Sequence, residues 1–255
     1  MSAQRSVIWQ EKPGTWLLNA GVGTTYYSGD LSEWGNLAHL QLGTAVGAAV
    51  AYRYSPRLTL RAEAQIYYLR GTQQNTRLAY NNLSFRSINP EFWAGAQWDF
   101  WRADNRNHVI IPYALAGVGL TYLTPLATYQ GNLYSLAPLH TEGVAYNRLP
   151  LTFRYGLGVP IVRTERFRIC AEATYTHVRS DYVDDVSTVY VDRTTMSPLA
   201  AALADRRPEA GLPAWPAGTQ RGNPSRNDGY FILSARVVFV LMTPAQRRYR
   251  SMFGG

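Results

Sequence analysis

In "LTLRAEAQIYYLR", residues 58 to 70, apolar side chains recur at every second position. Leu58, Leu60, Ala62, Ala64, Ile66 and Tyr68 share one face of an extended chain, and Thr59, Arg61, Glu63, Gln65 and Tyr67 share the other. This period of two constrains the fold more than any other feature, because a helix would scatter the same charges around its axis. In "INPEFWAGAQWDFW" the period sets Ile88, Phe92, Ala94, Ala96, Trp98 and Phe100 against Asn89, Glu91, Trp93, Gln97 and Asp99. In "PLTFRYGLGVPIV" it sets Leu151, Phe153, Tyr155, Leu157, Val159 and Ile161 against Thr152, Arg154, Gly156 and Gly158. Eight such segments are expected as strands, at about 15 to 27, 38 to 54, 58 to 70, 87 to 101, 108 to 122, 149 to 162, 166 to 179 and 229 to 242.

The connections alternate strictly in length. "SPR" and the residues around "RTE" are minimal links, whereas 28 to 37, 71 to 86, 123 to 148 and 180 to 228 are long. Antiparallel closure gathers short turns at one rim and long loops at the other, as in outer-membrane barrels, whose tilted strands need only about 9 to 11 residues to cross a bilayer. Trp16, Tyr26, Tyr52, Tyr54, Tyr68, Trp101, Tyr113 and Tyr122 lie near segment ends, where aromatic girdles belong. The expected fold is therefore all-β, an eight-stranded antiparallel transmembrane β-barrel spanning 15–242, with short periplasmic turns and long extracellular loops, 180–228 being the fourth. Residues 1–14 form a periplasmic N-terminal segment and 243–255 a periplasmic C-terminal tail. A soluble sandwich or lipocalin-like barrel is the alternative that alternation alone also fits.

Composition narrows the functional classes. No stretch approaches the roughly 20 consecutive apolar residues of a spanning helix. The net charge of +8 comes from arginines scattered singly, since Lys12 is the only lysine, and this argues against nucleic acid. The one cysteine, Cys170, has no second thiol for a disulfide or a metal. "MSAQRSVIWQ" lacks the flank and apolar core of a secretory signal, so an exported form would have lost its signal before this point.

An eight-stranded barrel is just wide enough for side chains to fill its interior. The period points Arg53, Arg61, Glu63, Glu91, Arg154, Arg168, Glu172 and Arg236 inward. Buried charges persist only when paired and hydrogen-bonded, so these eight are expected to form an Arg–Glu plug; a proton or ion path is the functional alternative.

Little in the chain reads as catalytic chemistry. His177 and Ser180 are the only local histidine–serine pair, and their spacing puts them on opposite strand faces. His39, His108 and His140 are isolated from one another, and "GVGTTYYSGD" runs through a strand instead of into a helix N-terminus. "SDYVDDVSTVYVD", residues 180 to 192, concentrates acid. Asp181, Asp184, Asp185 and Asp192 are weak calcium candidates without the oxygen spacing of a calcium loop. Alternatively they cap turns and pair with loop arginines such as Arg86, Arg179, Arg193 or Arg221.

"SDYVDDVSTVYVD" and "RGNPSRNDGYF", together with "GVGTTYYSGDL", "AYRYSPRLTLRA", "NNLSFRS", "IPYALAGVGLTYLTP", "LAPLHTEG" and "YGLGVPI", occur in an order that resembles the PorG-like outer-membrane barrels of the type IX secretion system of Bacteroidota. The residues carrying the resemblance in the fourth long loop are Asp181, Tyr182, Asp184, Asp185, Ser187, Arg221, Gly222 and Asn223. "MSPLAAALADRRPEAGLPAWPAG" departs from it in length, and Gly229 stands where the family is expected to carry tryptophan.

The resemblance implies a non-enzymatic structural part of a secretion machine that in some relatives supports gliding. It would be embedded among outer-membrane lipids and contact a periplasmic ring of a lipoprotein and its partner subunit. No cofactor is implied. Contact residues at the periplasmic rim would be Arg57, Arg102, Arg106, Arg163 and Arg166, with Arg247, Arg248 and Arg250 in the tail. Arginines bordering a membrane also anchor barrels by reaching headgroups. A stand-alone adhesin or ligand-binding barrel, and an outer-membrane lipid hydrolase, are the other functional classes.

Overall fold

Alternating apolar and polar residues close into a ring in the computed structural model, which describes residues 12–33, 40–74, 76–102, 110–164 and 167–241. Eight long strands form it: β1 (Trp16–Ser28), β2 (Leu42–Arg53), β3 (Leu58–Thr72), β4 (Ser84–Asp99), β5 (Tyr113–Thr121), β8 (Leu151–Arg163), β9 (Phe167–Val178) and β10 (Gly229–Leu241). Each pairs antiparallel with both neighbours. Of the two pairings that complete the circle, β3 joins β4 with Leu58 opposite Trp98, and β1 joins β10 with Trp16 opposite Leu241. Closure leaves none of the eight with an unpaired edge.

The period of two sets the burial. Along β3, Arg61, Glu63, Gln65 and Tyr67 are buried in the lumen, while Leu60, Ala62, Ala64 and Ile66 are exposed outside. A ring that exposes Val22, Phe92, Val118, Leu157 and Ile161 on its outer face has an exterior suited to hydrocarbon. Among the described residues no helix is long and apolar enough to cross a membrane.

The strand count is ten where eight segments were expected. The link between β5 and β8 holds a small hairpin, β6 (Leu126–Tyr129) and β7 (Asn132–Ser135), joined to the sheet through Leu126 opposite Arg86. Its four-residue strands are too short to show a period. Tyr113 is a second correction. It faces the lumen, 2% exposed, and is not part of an outer girdle; Gly158 directly across on β8 leaves room for its ring. Trp16, Tyr54, Trp101 and Tyr122 do face outward. The fourth long loop, expected at 180–228, folds a short helix, α1 (Pro198–Ala204), with Ser197 accepting the Ala200 amide at its N-cap.

Candidate functional site

Three layers fill the lumen. Nearest the short turns, Leu17, Ala51, Trp93, Tyr113, Leu115, Cys170 and Val238 form an apolar plug. Room for the Trp93 ring comes from Gly95 and Gly117, which face one another across β4 and β5; a methyl group on either would strike the indole. The Arg61 and Arg154 guanidinium groups lie over this indole at 5.7 and 5.5 Å. Nearest the long loops, Tyr27, Leu69, Phe85, Val178, Val183 and Tyr230 belong to a second apolar layer.

Between them lies the ionic layer. Glu63 pairs with Arg61, Arg236 and Arg154, the last at 3.5 Å. Glu172 pairs with Arg61 and Arg236, both at 2.7 Å, and accepts the Tyr113 hydroxyl at 2.7 Å. Glu91 pairs with Arg154 and accepts from Tyr230 (2.7 Å), Thr152 (3.0 Å) and Gln65 (2.5 Å). Arg61, Glu63, Arg236 and Glu172 thus form a closed circuit, and Arg154 links it through Glu63 to Glu91. Two of the eight residues expected in it stand apart. Arg53 pairs with Asp99 at 2.5 Å near the short-turn rim, and Arg168, although buried, has no carboxylate partner among the described residues. This packed interior, its buried charges among the described residues paired except for Arg168, has the chemistry of a plug.

Above the ring the long loops build a cap, and Glu142 organises it. Its carboxylate accepts the amides of Ser187 (2.8 Å) and Thr188 (2.9 Å), the Thr188 hydroxyl (2.7 Å) and the Arg221 guanidinium (2.9 Å). Arg221 also donates to the carbonyls of Asp185 (2.5 Å) and Ala204 (3.0 Å). Asp185 accepts from Thr141 and from Tyr146 (2.7 Å), and Tyr182 stacks on Tyr146 at 4.4 Å. Asp30 accepts the Asn223 amide at 2.7 Å; Gly222 is packed so closely against Asp30 and Ser187 that no side chain fits there. Asp228 takes the Tyr27 hydroxyl (2.7 Å) and the Val183 amide (2.9 Å), and Asp184 takes the Val186 amide (2.9 Å). Ala127 of the hairpin and Leu136 just after it pack on Leu203 of α1.

Burial sets the acid–base state of the cap. It pushes Asp181 up to about 7, with the charges of Asp30 and Glu142 adding to the effect. Burial raises Asp185 to about 6 despite the opposing charge of Arg221. Asp184 and Asp228 are driven well above the ordinary carboxylate range, first by burial and then by neighbouring acids. Among the described residues no three His, Cys, Asp or Glu side chains converge so as to hold a metal. Of the calcium candidates, Asp184 and Asp185 accept hydrogen bonds within the cap, and Asp181 is buried beside them. Asp192 lies apart from the cluster, capping a turn through the Thr194 amide (2.9 Å).

Of the four arginines considered as partners for these aspartates, Arg221 alone enters the cap; Arg86 lies on the outer face of β4 beside Thr128. His177 is exposed on β9 and faces Tyr155 (3.3 Å), not Ser180. Gly229 lies across from His177, and the Tyr175 hydroxyl occupies the space next to it, so a side chain at this position would require Tyr175 to move. "GVGTTYYSGD" runs through β1, as its period requires. At the short-turn rim Arg57 and Arg102 are exposed and Arg163 is half-buried, while Arg106, Arg166, Arg247, Arg248 and Arg250 lie outside the described residues, as do His39 and His108.

Asp30, Asp99, Glu142 and Asp228 are essential to this geometry but were not singled out as site residues in the sequence. Asp99 shares the inward face with Glu91, so period alone could have found it.

A closed antiparallel ring, apolar outside and filled with paired charge inside, defines the class of β-barrels that sit in lipid. The chain belongs to the outer membrane protein beta-barrel domain family, whose model matches residues 1–194. It is accordingly a multi-pass barrel of the outer membrane of a Gram-negative bacterium. Among solved structures, Neisserial surface protein A is 13% identical with a TM-score of 0.47, the alignment covering 88% of this chain and 96% of that one. The outer membrane protein OprG from Pseudomonas aeruginosa is 11% identical with a TM-score of 0.44, over 93% of this chain and 100% of that one. Ail of Yersinia pestis is 12% identical with a TM-score of 0.38, over 89% and 100%. No curated protein matches the chain.

Proposed function

We propose that this barrel is a PorG-like structural component of the type IX secretion machinery, oriented with its short turns in the periplasm, where it contacts a lipoprotein-containing ring. The reading makes it a membrane anchor and not an enzyme or a conduit. One observation carries it. Four of the stretches that bear the family resemblance, far apart in the chain, supply Asp30, Glu142, Asp185 and Arg221 to a single buried cap. The filled lumen supports the anchoring role, since a plugged barrel offers cargo no route. Exposed Arg57 and Arg102 supply positive charge at the short-turn rim suited to an acidic partner, and Arg106, Arg163, Arg166, Arg247, Arg248 and Arg250 are the further candidates that the resemblance implies.

Isolation from native membranes in mild detergent tests the reading. The expected result is co-purification of a periplasmic lipoprotein and its partner subunit, reduced when Arg247, Arg248 and Arg250 are replaced by alanine while the barrel stays inserted. Recovery of the barrel alone would leave a stand-alone adhesin or ligand-binding barrel as the better account.

A further inference from the structure

Two arginines stand directly opposite each other on the outer face of the barrel. Arg70 of β3 pairs in register with Arg86 of β4, and both side chains are exposed. Like charges facing across a strand pair are destabilising unless something neutralises them. Neither arginine has a carboxylate partner among the described residues. Two other arginines near the long-loop rim are occupied. Arg148 lies 4.5 Å from the Tyr122 ring centre and donates to the Leu123 carbonyl, and Arg77 pairs with Glu33 at 2.9 Å.

The pair also sits at a defined depth. Below it, in register, come Tyr68 and Ile88, then Ile66 and Pro90, then Ala64 and Phe92. From Leu60 to Arg70 a strand tilted at about 40° climbs roughly 25 Å along the barrel axis, the height of the apolar band in barrels of this class. Arg70 and Arg86 therefore lie where hydrocarbon gives way to headgroups. They line a cavity of about 450 Å3, together with Leu40, Tyr68, Leu126 and Thr128. The Thr128 hydroxyl accepts from Arg86 Nη2 at 3.3 Å, which holds one guanidinium toward the opening.

We propose that Arg70 and Arg86 bind the phosphomonoester headgroup of a lipid in the leaflet at the long-loop rim. Two planar guanidinium forks match phosphate oxygens, and the anion removes the repulsion between them. Leu40, Tyr68 and Leu126 receive the adjoining apolar part of the lipid. The proposal is independent of the secretion role, because it requires only the membrane-embedded barrel.

The full-length protein, folded in dodecylmaltoside micelles, is mixed with monophosphoryl lipid A, its dephosphorylated counterpart, or inorganic phosphate, and bound lipid is counted by native mass spectrometry. Wild-type protein is expected to retain the phosphorylated lipid about tenfold better than the dephosphorylated one, the scale of charge-assisted bonds to phosphate. R70A/R86A should lose that preference while keeping the gel mobility of a folded barrel. R70Q and R86Q, each removing one cation, should each lower it at least about threefold, which keeps the site testable if the double variant does not fold. Full preference in these variants, or no preference in wild type, overturns the site. Displacement of the lipid by an equal concentration of inorganic phosphate overturns the lipid assignment in favour of a free anion.

Discussion

The lumen and the cap are both buried and both charged, yet they treat charge in opposite ways. In the lumen Arg61, Arg154 and Arg236 face Glu63, Glu91 and Glu172, so signs balance and every carboxylate meets a guanidinium. In the cap Asp30, Asp181, Asp184, Asp185, Asp228 and Glu142 share one buried arginine, Arg221. Desolvation must then be met differently. The lumen meets it with counter-charge, whereas the cap holds protons, as the raised Asp181, Asp184, Asp185 and Asp228 indicate. The lumen's pairing calls for no bound proton, whereas the raised carboxyl groups tie the cap's cohesion to pH.

The largest effect expected is from breaking the balanced region. Glu63→Ala removes the carboxylate shared by three guanidinium groups, leaving Arg61, Arg154 and Arg236 with only Glu91 and Glu172, and should cost about 4 kcal/mol, measured by denaturant unfolding in micelles. A loss under about 1 kcal/mol would mean water reaches the lumen and would undo the description of a packed plug. Glu142→Ala removes the partner of Arg221 and of two loop amides, and should cost about 3 kcal/mol confined to the cap. Protease should then cut within residues 180–228 while the ring keeps its folded gel mobility. Simultaneous loss of the ring would erase the distinction between the two regions.

The pH dependence sharpens the comparison. Raised carboxyl groups bind protons more tightly in the closed cap than in the open chain, so their stabilisation is complete below about pH 4. It is lost as pH rises through about 6 and about 7, the values for Asp185 and Asp181. Hydrogen exchange at Val183 and Val186 should accelerate at least roughly tenfold beyond its intrinsic dependence between pH 5 and 8, since one pKa unit of lost stabilisation is a factor of about ten. Amides of the ring should show no such excess. The smallest change is Tyr182→Ala, which removes the stack on Tyr146 and should cost the cap about 1 kcal/mol, visible as a modest rise in loop proteolysis.

Much of the ring was legible because burial follows parity. Arg61, Glu63, Arg154, Glu172 and Arg236 could be placed inside from alternate positions alone, and the unequal links located both rims. Tyr113 was misplaced because a tyrosine near a strand end suits a girdle or a lumen equally; the deciding factor is Gly158 across the sheet. The hairpin at 126–135 escaped notice because four residues carry no measurable period. Glu142 and Asp228 escaped for a related reason. Loops have no period, so nothing local says which carboxylate will find four donors.

From residue order alone came the face each strand side chain occupies, since pleating makes neighbours alternate whatever the final fold. Which charges meet was decided only by closure of the ring, because Arg61 and Glu172 lie on strands that are not neighbours and meet across the lumen. The cap depends on tertiary structure still more. Glu142 and Arg221 come from different loops, and only the packing of those loops over the rim excludes water from them and makes their pairing matter.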